Sequence, residues 1–253
     1  MIKEPFAIGN SWIHRIDPRV RIVSAVVYSL AVALSNRFPV LLTALAVSLI
    51  LVCLARLNLR EVGRRLAVVL WFLILIWAVL PLTFEGEGLY VIGPLTMTLP
   101  GVLLSAKITL KSIAILLVFM VLIATMTIAT LGCALNSLRL PDKLVHLLLM
   151  TYRYLFVIED EYQRLRTAVK IRGFRSGTNI HSYKTYAYLI GMLFVRASVR
   201  AERVHQAMIC RGFSGTFFSL HEFSFKRIDA VWVIFMIALT TLLEIMEWKN
   251  IIQ

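Results

Sequence analysis

Two stretches of this chain end alike. "KIRGFRSG" runs from Lys170 to Gly177, and "ICRGFSG" runs from Ile209 to Gly215. Behind each Arg-Gly-Phe lies the same spacing, with Arg164, Ala168 and Arg172 at i, i+4 and i+8, matched by Arg203, Ala207 and Arg211. A guanidinium stays charged and can fork onto a carboxylate, which suits it to contact an acidic partner. The glycine after it fits the left-handed position that closes a helix, and the arginine complements the helix dipole in the last turn. Helix punctuation explains Arg-Gly at one site. It does not explain why phenylalanine follows both times, or why the arginines match two turns back. The pair therefore points to a duplicated protein contact made by Arg172, Gly173, Phe174, Arg211, Gly212 and Phe213. Arg164 and Arg203 either support that contact or pair within the helices.

Other chemistries find no residues. There is no G-x-x-x-x-G-K-[ST], no H-E-x-x-H and no G-x-S-x-G, so no P-loop, zincin or nucleophile-elbow site is expected. Gly212-Phe213-Ser214-Gly215 lacks the elbow spacing and has no obvious His–Asp partners. His14, His146, His181, His205 and His221 include no pair three or four apart, so no helical metal site is expected. Cys53, Cys133 and Cys210 are odd in number and match no metal or redox spacing. Glu159, Asp160 and Glu161 stand beside Arg153, Arg164 and Arg166, and read as ion-pair partners rather than as acid–base pairs. The expectation is a non-catalytic chain with no cofactor and no metal of its own.

The elements that must carry the two endings follow from composition. Of 253 residues, 59% are hydrophobic, against about 45–50% in soluble domains. The net charge is +13. The basic residues lie between apolar stretches, within reach of lipid headgroups, which argues for a bilayer and an acidic partner and against nucleic acid. Asp17-Pro18 reads as N-cap and first helical residue of an apolar span to Asn36. Ala25, Ser29 and Ala33 form a small-residue stripe on it. Pro39 opens a second span to about Leu57, with Arg37 at the turn. A third span covers about Leu66 to Leu82, and a long apolar helix runs from Pro100 to about Asn136 with Thr125, Ala129 and Cys133 as a second stripe. The last span covers about Asp229 to Trp248. Glu244 is the one acid within the spans that could serve ion coupling. Arg56, Arg60, Arg64 and Arg65 mark a cytoplasmic loop, whereas the loop holding Glu85 and Glu87 lies outside. No cleavable signal peptide is expected, since the first apolar run continues as a span. The fold class is thus all-α: a polytopic membrane protein with about five spans. Its organisation is residues 1–136 as transmembrane helices, 137–227 as a basic cytoplasmic region, and 228–253 as a final transmembrane helix.

Within the basic region two amphipathic helices are expected. Leu144, Leu147, Leu148, Thr151, Leu155 and Ile158 trace the apolar stripe of the first; Ile190, Leu193, Phe194, Ala197 and Ala201 trace that of the second. They are too charged to cross a bilayer, and should pack on each other and on the spans.

This combination resembles the transmembrane T component of energy-coupling factor transporters, whose two cytoplasmic coupling helices each end in an Ala-Arg-Gly type motif. The counterparts here are Ile171-Arg172-Gly173 and Cys210-Arg211-Gly212. "YRYLFVIEDEYQRLRTAVKIRGF" looks most like the cobalt/nickel (CbiQ-type) branch. The resemblance implies a bacterial or archaeal cytoplasmic membrane, with the N-terminus and coupling helices on the cytoplasmic side. It implies two ATPase subunits that bring ATP and Mg and receive Arg172 and Arg211 in surface grooves, and a separate membrane subunit that holds the substrate: cobalt, nickel or a vitamin. The rival readings are a stand-alone secondary transporter, a membrane enzyme and a basic membrane scaffold.

Overall fold

The computed structural model describes residues 13, 16–83, 88–92, 95–213 and 226–249. Glu85, Glu87, His14, His221 and the Ser214-Gly215 pair lie outside them. In chain order the elements are α1 (Pro18–Leu34), α2 (Phe38–Leu54), α3 (Leu59–Thr83), β1 (Gly88–Ile92), β2 (Leu95–Thr98), α4 (Leu99–Leu122), α5 (Ile128–Ser137), α6 (Asp142–Ile171), α7 (Ile180–Cys210) and α8 (Arg227–Lys249). The described residues are helical apart from their connections and one antiparallel hairpin, in which Ile92 faces Leu95 and Gly88 faces Thr98. That hairpin falls in the stretch read from sequence as an outer loop.

The chain divides into two compact units, one of Gly132–Glu222 and one that includes the stretch up to Leu131 together with Phe223 onward. In the larger unit α3, α4 and α8 are long and apolar enough to cross a membrane. The helices α1 and α2 have 17 residues each, about 26 Å at 1.5 Å per residue, just short of a bilayer core of about 30 Å.

Asp17 caps α1 by accepting from the Arg19 N–H at 2.9 Å, and Pro18 fills the first helical position. The buried face of α1 includes Arg21, Ala25, Tyr28 and Val32, recurring at helical spacing. Tyr28 donates to the Ala44 carbonyl at 2.6 Å, closing the α1–α2 hairpin. Val40, Leu41, Leu117, Val118, Val121, Trp232 and Met236 pack in one core with them. Of the first small-residue stripe, Ala25 is buried but Ala33 is exposed. Gly101 lets α4 approach α3 closely: a Cβ there would stand 2.8 Å from the Pro81 Cα.

The single helix expected from Pro100 to Asn136 is two. α4 stops at Leu122 and α5 begins at Ile128. The threonines make the break. Thr125 turns its hydroxyl back onto the Val121 carbonyl at 2.6 Å, and the Thr127 hydroxyl caps α5 by accepting from the Thr130 N–H at 3.1 Å. The interruption disperses the second stripe, leaving Thr125 buried and Ala129 exposed.

Both ends of α8 are fastened to α1. The Asp229 carboxylate, 1% exposed, accepts from the Lys226 N–H and the Asp17 N–H, each at 2.7 Å. At the other end Glu247 accepts from Ser35 at 2.8 Å and from the Asn36 N–H at 3.0 Å. Lys111 donates to the Ala33 carbonyl at 2.8 Å and to Asn36 at 3.1 Å, a cation at a helix C-terminus. Asp229 and Glu247 are thus engaged acids of α8, whereas Glu244 is exposed.

Candidate docking site for a protein partner

The smaller unit is built on α6 and α7. Their contacts fix an antiparallel arrangement. Glu161 of α6 pairs with Arg196 of α7. Phe174, just past α6, meets the first turns of α7 at His181 and Tyr186, with ring centroids 6.1 and 5.7 Å away. Phe213, just past α7, lines the same cleft as Lys143 and His146 near the start of α6. With 31 residues, α7 is about 46 Å long. The two Arg-Gly-Phe endings thus lie at opposite ends of the helix pair.

Their backbones match closely. At the end of α6, Gly173 has φ +81°, its N–H reaches the Lys170 carbonyl at 3.1 Å, and the Phe174 N–H reaches Val169 at 3.3 Å. At the end of α7, Gly212 has φ +79°, its N–H reaches Ile209 at 2.9 Å, and the Phe213 N–H reaches Met208 at 3.1 Å. Both are Schellman caps, and both place an arginine at the C-cap. Arg172 and Arg211 are exposed. A Cβ on either glycine would meet nothing within 4 Å, so only the left-handed backbone demands glycine here.

The phenylalanines turn onto their own chain. Phe174 and Phe213 are half-buried; the first stacks edge-on against Tyr186 and the second lies at the cleft. They brace the two caps from behind, a role that their sequence position does not disclose. At the first ending the Gly177 N–H also donates to Ser182 at 3.1 Å, tying the connector to α7.

The cleft between α6 and α7 measures about 660 Å³. Leu147, Thr151, Leu155 and Ile158 line it from α6, and Leu193, Ala197 and Ala201 from α7, as their spacing indicates. Leu144 and Leu148 of α6 and Ile190 and Phe194 of α7, read as parts of the same stripes, do not line it and are exposed. Desolvation holds the His146 imidazole below the usual histidine value of 6.5. Arg164 and Arg203 are exposed and form no ion pair among the described residues. Glu161, expected to pair along its own helix, reaches across to Arg196. Among the described residues no group of three or more His, Cys, Asp or Glu could hold a metal ion.

Two exposed, permanently charged groups, each set by a rigid cap, make a surface suited to acidic grooves about 46 Å apart. Comparison with known proteins agrees with a role in transport. The family described as cobalt transport protein, CbiQ, matches residues 9–222. The energy-coupling factor transporter transmembrane protein EcfT of Leuconostoc gelidum subsp. gasicomitatum is 29% identical over 240 residues, covering 89% of both chains. That of Acidaminococcus fermentans is 29% identical over 95% of this chain and 94% of its own. That of Listeria innocua is 30% identical over 85% of each.

Proposed function

Because the chain belongs to the CbiQ cobalt transport protein family, with EcfT relatives along most of its length, we propose that it couples two ATPase subunits to a substrate-binding membrane subunit. As an energy-coupling factor T component it is a multi-pass membrane protein and a transporter subunit. In the proposed mechanism Arg172 enters a groove on one ATPase and Arg211 enters the equivalent groove on the other. The observation that carries this reading is the pair of matching caps at opposite ends of one antiparallel helix pair.

The mechanism follows from rigidity. Each arginine is fixed to its helix by a cap rather than carried on a loose loop, so movement of the ATPase becomes movement of the helix end. ATP closes the ATPase pair and changes the separation of its two grooves. The Glu161–Arg196 ion pair across the cleft is partly exposed and contributes only about 0.2–1 kcal/mol, so it leaves α6 and α7 room to shift against each other. The energy enters with ATP and Mg in the partners. We propose the cytoplasmic side of a bacterial or archaeal membrane for the coupling helices; the clustered arginines at Arg56, Arg60, Arg64 and Arg65 support an inward-facing basic loop. Cobalt or nickel is the proposed cargo, in line with the family description, held by the separate membrane subunit.

The test is charge reversal, Arg172→Glu together with Arg211→Glu, in chain co-expressed with its ATPases. Loss of co-purification and of radiolabelled cobalt or nickel uptake is the expected result. Undiminished binding and uptake would remove the docking role. Uptake of a vitamin by the wild-type complex would move the cargo and leave the coupling role standing.

A further inference from the structure

Among the described residues there is a buried cation that forms no ion pair. Arg21 is 2% exposed. Its Nη2 donates to the Thr125 hydroxyl, its Nε has no partner, and it forms no ion pair among the described residues. A buried guanidinium with no acid at ion-pair distance is costly, which gives weight to its bond to Thr125. Thr125 lies in the break just beyond α4. The Phe119 carbonyl there accepts from both the Ile123 and Ala124 N–H groups, at 2.9 and 3.0 Å. A helix ends with carbonyls that lack helical donors and with a partial negative charge. Arg21 reaches that end through Thr125, whose hydroxyl donates to the Val121 carbonyl at 2.6 Å.

The break stands at a particular point in the chain. Before it, α4 is fixed in the core of the larger unit by Leu117, Val118, Val121 and Leu122. After it, α5 crosses into the smaller unit at Gly132. There α5 is held tightly to α6, because a Cβ on Gly132 would stand 2.6 Å from a Leu149 methyl. Movement of α6 therefore carries the end of α5 with it, and only Ile123–Thr127 separates α5 from the core. We infer that Arg21, through Thr125, is the positioning residue that sets this break, so that displacement of the coupling helices reaches the spans instead of being absorbed in a slack joint. The inference rests on the coupling reading and adds a residue remote from both endings.

The experiment uses the assembled complex with its ATPases, with and without ATP and vanadate, followed by hydrogen exchange and ATP hydrolysis. The variants are Thr125→Val, which removes the acceptor at nearly constant volume; Thr125→Ser, which keeps it; and Arg21→Met. In wild type, nucleotide is expected to change exchange both in α6–α7 and in residues 119–127. In Thr125→Val and Arg21→Met the α6–α7 change is retained, the change at 119–127 falls at least three-fold, and hydrolysis stays within two-fold. Thr125→Ser restores the response. An unaltered response at 119–127 in Thr125→Val would overturn the inference. Failure of Thr125→Val to assemble would also overturn it, by making the contact structural only. Absence of ATPase from the wild-type preparation would instead sink the coupling reading itself.

Discussion

Substituting Gly173 and Gly212 by alanine separates the shape of the two endings from their charge. Both glycines have left-handed backbones, φ +81° and +79°, and a methyl group on either would touch nothing within 4 Å in this chain. The cost of alanine is therefore conformational alone, about 1–2 kcal/mol for a left-handed L-residue. That shifts each cap toward its unwound form by about 5- to 30-fold. The sites lie about 46 Å apart along α7, so the two costs add. Asparagine tolerates the left-handed region better and ranks between glycine and alanine. The assay is equilibrium binding of the ATPases to purified single and double variants. The expected order is glycine, asparagine, alanine, with each alanine weakening docking by about 5- to 30-fold. Alanine that binds as well as glycine would refute the claim that the cap presents the arginine. A loss with asparagine as large as with alanine would refute the conformational origin, because it would point to a partner surface that needs the bare Cα.

Two further outcomes follow from the same geometry. The first ending carries two further cations, Lys170 and Arg175, within three residues of Arg172, whereas Arg211 has none; at about 0.2–1 kcal/mol per exposed pair, the Arg211→Glu chain should hold its ATPase about 2- to 30-fold more tightly at low salt than the Arg172→Glu chain, and lose that advantage as salt screens it, so equal salt slopes in a pull-down series would disprove unequal docking. Gly132→Ala brings a Cβ to 2.6 Å from the Leu149 Cδ2 and 3.0 Å from its Cγ; overpacking of about 1–3 kcal/mol, offset by about 0.5–1 kcal/mol for alanine over glycine within a helix, gives a net fall in melting temperature of the complex that Leu149→Ala lessens, and a raised melting temperature would mean that α5 and α6 are not tightly packed.

What sequence makes legible here is what local chemistry decides. Asp17-Pro18 caps a helix through neighbouring atoms, and the structure has that cap. Glycine after Arg172 and Arg211 stops a helix by its own backbone freedom, and both stops have the left-handed φ. The facing stripes of α6 and α7 follow helical period where both helices line the cleft, and depart from it at Leu144, Leu148, Ile190 and Phe194, which do not line it. The break after α4 was not legible, because Thr125 and Thr127 are tolerable within a helix until Arg21, 104 positions away, bonds to one of them. Glu247 was hidden for the same reason: its partners Ser35 and Asn36 lie more than 200 positions earlier. The inward turn of Phe174 and Phe213 depends on a neighbouring helix in each case.

The fastening of α8 to α1 has a consequence in time. Asp17 meets Asp229, and Ser35 meets Glu247, each across 212 positions. A ribosome adding about 5–20 residues per second needs about 10–40 s to cover that interval. Throughout it the first helix has polar groups at both ends without their acceptors, while α2, α3 and α4 are already in the bilayer. The last helix to be made supplies both. The fastening of α1 therefore comes late, and a chain truncated before Asp229 would leave its first span unclasped at both ends.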